Sequence, residues 1–312
     1  MRIGIDILGG DYAPEATILG SILAHRELAG KATVVLIGDK DIIESKCARE
    51  GFDVSELEIV HTKENIGMDE FPAKAFAKKP NASIPLGFSL LKSGKIDGFA
   101  SAGNTGAMLV GAIQVVKGVP GVLRPCITAA VPKNSEIPTI LLDVGINPDC
   151  KPDVLYQYAI LGSLYTELVY NVHTPRVALF NIGTEEEKGN LLTKASYQAM
   201  KGTTDFNFIG NVEGTDLFRE DVDVIVCDGF VGNTILKSAE AFYTLIRKRR
   251  IKDEFFEKFN YENYGGTPIL GINAPAVIGH GISGPNAIKN MILHTANVVE
   301  AKLTEKIKQA FE

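Results

Sequence analysis

Short runs of Val, Ile and Leu recur from one end of the chain to the other, each followed by a stretch long enough for a helix. Arg2–Ile7, Thr33–Gly38, Ile96–Ala100, Cys126–Val131, Thr139–Val144, Arg176–Phe180, Phe206–Ile209 and Asp223–Cys227 read as strands. Val34-Val35-Leu36-Ile37 is apolar on both parities, which suits a strand covered on both faces of its sheet. Pro14 suits the first turn of a helix over Glu15–Leu28, and Pro152 that of one over Asp153–Tyr170. From Asn286 to Phe311, Ile288, Met291, Ile292, Val299, Leu303 and Ile307 fall near one helical stripe, which predicts a terminal helix. The alternation predicts an α/β three-layer sandwich with a largely parallel sheet. No Gly/Ser- or Pro-rich linker divides the chain, so residues 1–312 read as a single α/β domain.

Apolar residues make up 45% of the 312 and charged residues 22%, enough to bury a core and too apolar for a disordered chain. The net charge of −6 argues against a broad nucleic-acid footprint, so any anion must be held by a local patch. Cys47, Cys126, Cys150 and Cys227 lie far apart and form no metal knuckle or redox pair. Cys126 and Cys227, within apolar runs, read as small core residues. Asp6 and Asp11 argue against a signal peptide. The two long uncharged stretches, Gly98–Val116 and Asn263–Ile288, are laced with Gly, Asn, Ser or Pro and do not read as spanning helices. The expected location is cytoplasmic.

In parallel α/β sheets, ligands collect where strand ends lead into helix N-termini. Five loops have this form: Leu8-Gly9-Gly10-Asp11, Ser101-Ala102-Gly103-Asn104-Thr105-Gly106, Asp143-Val144-Gly145-Ile146-Asn147, Cys227-Asp228-Gly229-Phe230-Val231-Gly232-Asn233 and Gly279-His280-Gly281-Ile282-Ser283-Gly284. Glycine admits a ligand close to the backbone, and free N–H groups at a helix start favour an anion, so a phosphate or phosphorylated ligand is expected. One such turn alone is ordinary architecture. Five carrying Asn, Ser, Thr or Asp beside the glycines suggest a composite polar cleft. Neither a dinucleotide fingerprint after the first strand nor a P-loop is present.

The loops stand in a longer ordered series. Ile5 to Pro14 (IDILGGDYAP), Ser101 to Ala107 (SAGNTGA), Asp143 to Asn147 (DVGIN), Asn181-Ile182-Gly183 through Lys188-Gly189-Asn190, Phe208 to Gly214 (FIGNVEG), Cys227 to Asn233 (CDGFVGN), Tyr264 to Gly271 (YGGTPILG) and His280-Gly281 follow one another over almost the whole chain. This series closely resembles the PlsX family of phosphate acyltransferases. The resemblance implies transfer of a long acyl chain from acyl carrier protein (ACP) to inorganic phosphate, giving acyl phosphate for phospholipid synthesis. It further implies a fold like phosphotransacetylases and isocitrate/isopropylmalate dehydrogenases, a homodimer, no cofactor (neither metal nor nucleotide), and a peripheral contact with the anionic membrane. Two departures stand out. The family's longer apolar excursion is compressed here into a helical excursion at about 234–263, and Ile282-Ser283 replaces its usual double Ser.

Orthophosphate is largely dianionic at neutral pH and can attack a thioester without a strong base. The protein's task is then to desolvate and aim it, stabilise the oxyanion and help the thiolate leave, which calls for hydrogen-bond donors. No GxSxG elbow is present. With the resemblance, Lys188, His280 and Asn233 become the candidate catalytic residues. Gly9, Gly10, Asp11, Ser101, Asn104, Thr105, Asn147, Asp228 and Ser283 become the candidate phosphate and substrate residues. Bland readings stand beside these. Lys188, expected to open a helix, answers Glu185-Glu186-Glu187; Asn104 and Asn233, each expected to begin a helix, would serve as N-caps, and Ser283 is equally a cap or a phosphate ligand. Asp6, Asp11, Asp143 and Asp228 would repel phosphate unless they hold loop amides or orient Lys and His, and most are expected to do so.

Arg247, Lys248, Arg249, Arg250 and Lys252 place five cations in six positions. Such a run is usually a solvated helix face, but it also suits docking of the acidic ACP or of anionic lipid head groups. The aromatic and aliphatic residues around it, Phe242, Tyr243, Leu245, Ile246, Ile251, Phe255, Phe256 and Phe259, suit either dimer packing or an acyl channel. The rival functions are a short-chain coenzyme A-dependent phosphotransacylase, a decarboxylating dehydrogenase on the same fold, and a non-catalytic acyl-ACP-binding scaffold.

Overall fold

The computed structural model describes every residue from Met1 to Glu312. The chain opens with β1 (Arg2–Asp6), α1 (Glu15–Leu28), β2 (Thr33–Gly38), α2 (Lys40–Arg49), β3 (Glu58–His61), α3 (Pro72–Lys78), α4 (Ser83–Lys92), β4 (Gly98–Ser101) and α5 (Thr105–Val110). It continues through β5 (Cys126–Val131), β6 (Thr139–Leu142), α6 (Pro152–Tyr170), β7 (Arg176–Phe180), α7 (Leu191–Met200), β8 (Asn207–Val212), β9 (Val224–Val226), α8 (Gly229–Lys248) and α9 (Glu254–Glu257). It closes with β10 (Thr267–Leu270), β11 (Ala276–Ile278), α10 (Pro285–Glu300) and α11 (Leu303–Phe311). Two compact units result: Met1–Gly118 with Tyr261–Thr304, and Val119–Asn260 with Glu305–Glu312.

In the first unit the strands run β3-β2-β1-β4-β11-β10, parallel except for β10 against β11. Parity explains the layers. Ile3, Ile5, Val34 and Leu36 share one sheet face and pack with Ile18 and Ile22 of α1 and Ile288, Met291 and Ile292 of α10. The alternate residue Phe99 points to the other face, where its ring meets that of Phe88 on α4 at 5.2 Å. Both faces are therefore covered, as the unbroken apolar run of β2 predicts.

The second unit has strand order β5-β6-β9-β7-β8, with β6, β9, β7 and β8 parallel and β5 antiparallel to β6. Leu141, Ala178 and Ile225 pack with Val231, Ile235 and Leu236 of α8. On the opposite face Gly162 of α6 sits so close to Val224 and Leu142 that an added Cβ would lie 2.7 and 2.9 Å from their methyl carbons. The architecture is a mostly parallel α/β fold with helices on both faces.

Two expectations need correction. The terminal helix is two helices, because Lys302 takes a left-handed φ of 52° between α10 and α11. Pro14 stands just before α1 at its N-cap, not within the first turn. Over residues 234–263 the chain continues α8, which runs unbroken from Gly229 to Lys248, and then forms the short α9. Beyond it, Lys258 Nζ donates to the carbonyls of Lys133, Asn134 and Ser135 at 2.9, 2.6 and 3.0 Å. Phe255 and Phe259 ring-pack with Phe218 of the same unit at 6.2 and 5.7 Å. No helix is long and apolar enough to cross a membrane.

Candidate active site

In the first unit the glycine-rich turns after β1, β4 and β11 meet. Asp6 ends β1 fully buried; its carboxylate accepts the Leu8 N–H at 3.0 Å and the Ser101 hydroxyl at 2.7 Å. Ser101 Oγ in turn accepts the Gly103 N–H at 2.9 Å, so one acid ties the β1 and β4 turns together. Burial pushes the Asp6 carboxyl above the usual range, against the pull of these hydrogen bonds. Gly10 has φ 110°, which requires glycine, and Asp11 N donates to Gly281 O at 2.7 Å. Gly279 N donates to Ser101 O at 2.8 Å. Gly9, Gly10, Asp11, Ser101, Asn104, Thr105, His280 and Ser283 are thus gathered by three interlocked turns.

Their side chains are committed to different extents. Asn104 caps α5 by accepting the Ala107 N–H at 3.0 Å, while its amide donates to Gly67 O at 2.9 Å and Glu70 O at 3.1 Å. This buried amide is occupied by the 67–70 loop, a neighbour the sequence reading missed. The signal that could have placed it is Pro72, which stands at the start of α3 directly after that loop. Ser283 is no cap: Gly284 takes that place, and Ser283 Oγ donates to His280 O at 2.5 Å. The His280 ring lies 4.9 Å from that of Tyr261, whose hydroxyl donates to Ile282 O at 2.9 Å. Thr105 and Asp11 are exposed.

In the second unit the turns after the adjacent parallel strands β6, β9 and β7 lie at one sheet edge. Buried Asp143 accepts the N–H groups of Ile127, Ile146 and Asn147. Desolvation raises its carboxyl above the usual range despite them. Asn147 is buried, its amide donating to Pro125 O at 2.8 Å. Gly229 N donates to Asn147 O at 2.8 Å, which locks the β6 and β9 turns together. A cleft of about 390 Å³ opens here, lined by Pro148, Asp149, Cys150, Asn190, Leu191, Leu192 and Asp228. Burial pushes the Cys150 thiol up to about 11, so it is a poor nucleophile.

Two helix starts differ from expectation. Asp228, not Asn233, caps α8, accepting the Val231 N–H at 2.9 Å; Asn233 is exposed inside the helix, and Gly145, at φ 141°, would bring a Cβ within 3.5 Å of its Oδ1. Lys188 does not open a helix: Asn190 caps α7 at 2.9 Å to Thr193 N, and Lys188 stands exposed in the preceding loop. That loop is pinned where Asn181 Nδ2 donates to Lys188 O at 3.1 Å. Asp228 lines the cleft as an acceptor whose carboxylate already holds an N–H. The sequence reading missed the cleft residues Pro148 to Cys150, although they directly follow Asn147, and Leu191-Leu192, although they directly follow Asn190.

The fold is that of the phosphotransacylases. A phosphotransacetylase from Streptococcus pyogenes superposes with a TM-score of 0.69 at 18% identity, over 96% of this chain and 94% of that one. The EutD phosphotransacetylase from Staphylococcus aureus gives 0.65 at 18% identity over the same shares. Sequence goes further. The family described as "Fatty acid synthesis protein" matches residues 1–306. The phosphate acyltransferase of Dictyoglomus thermophilum is 40% identical over 98% of this chain and 96% of its own length, and that of Desulforamulus reducens 41% identical over 100% and 98%. The chain belongs to this family, the phosphate acyltransferases.

Proposed function

We propose that this chain transfers a long-chain acyl group from ACP to inorganic phosphate, and that the resulting acyl phosphate feeds phospholipid synthesis. The observation that carries this reading is the near-complete coverage by phosphate acyltransferases at about two-fifths identity. In the reaction a phosphate oxygen attacks the thioester carbonyl, the new C–O bond forms, and the C–S bond breaks with the pair leaving on sulfur. The interlocked turns of the first unit are held in one shape before a dianion arrives, as preorganised binding requires. Gly9, Gly10 and Thr105 are assigned to binding the dianion, and Ser101 to tying the β1 and β4 turns, since its buried hydroxyl already donates to Asp6 and accepts from Gly103. Asn104 and Ser283, with side chains already bonded, act by holding the turns, and Asp11 through its N–H bond to Gly281.

Lys188, His280 and Asn233 are assigned to donating hydrogen bonds to the oxyanion or the departing thiolate, each to be tested singly. Asn147 and Asp228 shape the turns of the second unit. The basic run Arg247–Lys252 stands exposed at the end of α8 and suits the acidic face of ACP. In this reading the chain works as a homodimer in the cytoplasm, at the inner face of the membrane. Incubating the purified protein with palmitoyl-ACP and labelled orthophosphate tests it. Labelled acyl phosphate is expected; its absence, or formation only from short acyl-coenzyme A, would replace this reading with the short-chain one.

A further inference from the structure

Three large apolar side chains stand unusually far into solvent at the carboxyl edge of the second unit's sheet. Leu191 is 90% exposed, Ile182 78% and Phe230 69%. Ile182 follows β7, Phe230 follows the adjacent parallel strand β9, and Leu191 opens α7 and lines the 390 Å³ cleft with Asp228. Single exposed hydrophobics need no explanation, but three on the turns that follow two adjacent strands, one of them lining a cleft, do. Each is set on an anchored turn: Asn190 caps α7, Asp228 caps α8, and the Asn181 side chain accepts the Ile182 N–H at 2.9 Å.

Charge selects the occupant. The cleft is lined by the carboxylates Asp149 and Asp228, and the Arg124 guanidinium, which donates to Asp149 O at 2.9 Å, is the cation beside them, so the cleft keeps a net negative charge and disfavours both phosphate and the acidic surface of a carrier protein. A neutral apolar ligand meets no such penalty. We propose that Ile182, Leu191 and Phe230 form the subsite for the hydrocarbon chain of the acyl-thioester donor, and that they set its chain-length preference. This deepens the proposed function and rests on it.

The test is a chain-length series from octanoyl- to palmitoyl-ACP, run on the full-length protein and on Leu191→Ser, Ile182→Ser and Phe230→Ser. Where methylenes are buried, kcat/KM should rise by about fourfold for each one. In the variants the palmitoyl-to-octanoyl ratio should fall about tenfold or more, with the KM for phosphate unchanged. An unchanged ratio, or an equal loss on both donors, overturns the proposal. So does a change of oligomeric mass in the variants, which would assign the patch to a second copy of the chain. Binding of a neutral dansyl-labelled long-chain amide gives a readout independent of turnover and is expected to weaken in Leu191→Ser. If the wild-type protein makes no acyl phosphate yet binds the probe through Leu191, the reaction fails and the subsite stands.

Discussion

The carboxylate of Asp143 takes the backbone N–H of Asn147 at 2.7 Å and the side-chain amide of the same residue at 3.3 Å. Ile146 and Ile127 add their own N–H groups at 3.1 Å, so one acid fixes the turn after β6 and the start of β5. An amide there would turn its NH2 toward other donors. Asp143→Asn is expected to lower stability by about 2–3 kcal/mol and acyl phosphate formation at least tenfold. Urea unfolding beside steady-state rates measures both, and a wild-type midpoint and rate would show that the turn does not depend on the charge.

Gly232 lies in the second turn of α8, where an added methyl would land on the Asp143 carbonyl oxygen and within 3.0 Å of Cys227 Sγ. Backbone cannot step aside as a flexible side chain can. Gly232→Ala should therefore cost about 2–3 kcal/mol, read as a lowered Tm. Gly214→Ala, where a Cβ meets open space, should leave Tm nearly unchanged.

Removing a donor that acts on the transition state alone typically costs about a hundredfold in kcat. That loss is expected for Lys188→Ala and His280→Ala, with circular dichroism unaltered. Turnover that survives in both would return Lys188 to the role of a counter-ion for Glu185–Glu187. Chelators should leave the wild-type rate intact, and a loss that a divalent ion restores would bring a metal into the reaction.

Reversing the charge of Arg247, Arg249 and Arg250 together to Glu should raise the KM for acyl-ACP about tenfold or more at low salt, and leave that for phosphate unchanged. If pull-down on anionic vesicles falls instead, while the KM for acyl-ACP holds, the run serves lipid head groups.

His294 on α10 is held down to about 4 by burial. The unfolded chain takes up this proton near pH 6.5 and the folded chain only near 4, so stability is complete above about 6.5 and declines as pH falls between the two. Because the residue is only partly buried, the decline is expected to be about 2 kcal/mol. His294→Gln should flatten this part of the pH–stability curve; an unchanged slope would assign the acid sensitivity elsewhere.

Elements whose signal is local were legible in the sequence. The strands Thr33–Gly38, Cys126–Val131 and Arg176–Phe180 and the helix Glu15–Leu28 have the expected ends. β3 was missed because Glu58 and His61 leave only Ile59 and Val60 to signal an edge strand. β10 carries Pro268, which normally argues against a strand and is accommodated here in a short antiparallel pair. The break after α10 has no Gly or Pro to announce it, since Lys302 adopts the left-handed conformation instead. At the candidate site the glycine-rich turns were visible, because glycine leaves a mark wherever backbones approach closely. The cleft was not, because Pro148, Leu191 and Asp228 come together through strand order, which sequence spacing does not encode.

The division at Thr304 bears on how the protein is made. Each unit is assembled from two separated stretches, with residues 261–304 completing the first and residues 305–312 the second. During synthesis the early half of the first unit must wait, with the β4 edge of its sheet unpaired, until β11 and α10 have left the ribosome. Neither unit can be cut free at a single peptide bond, so a nick near residue 118 or 260 should leave fragments that stay associated.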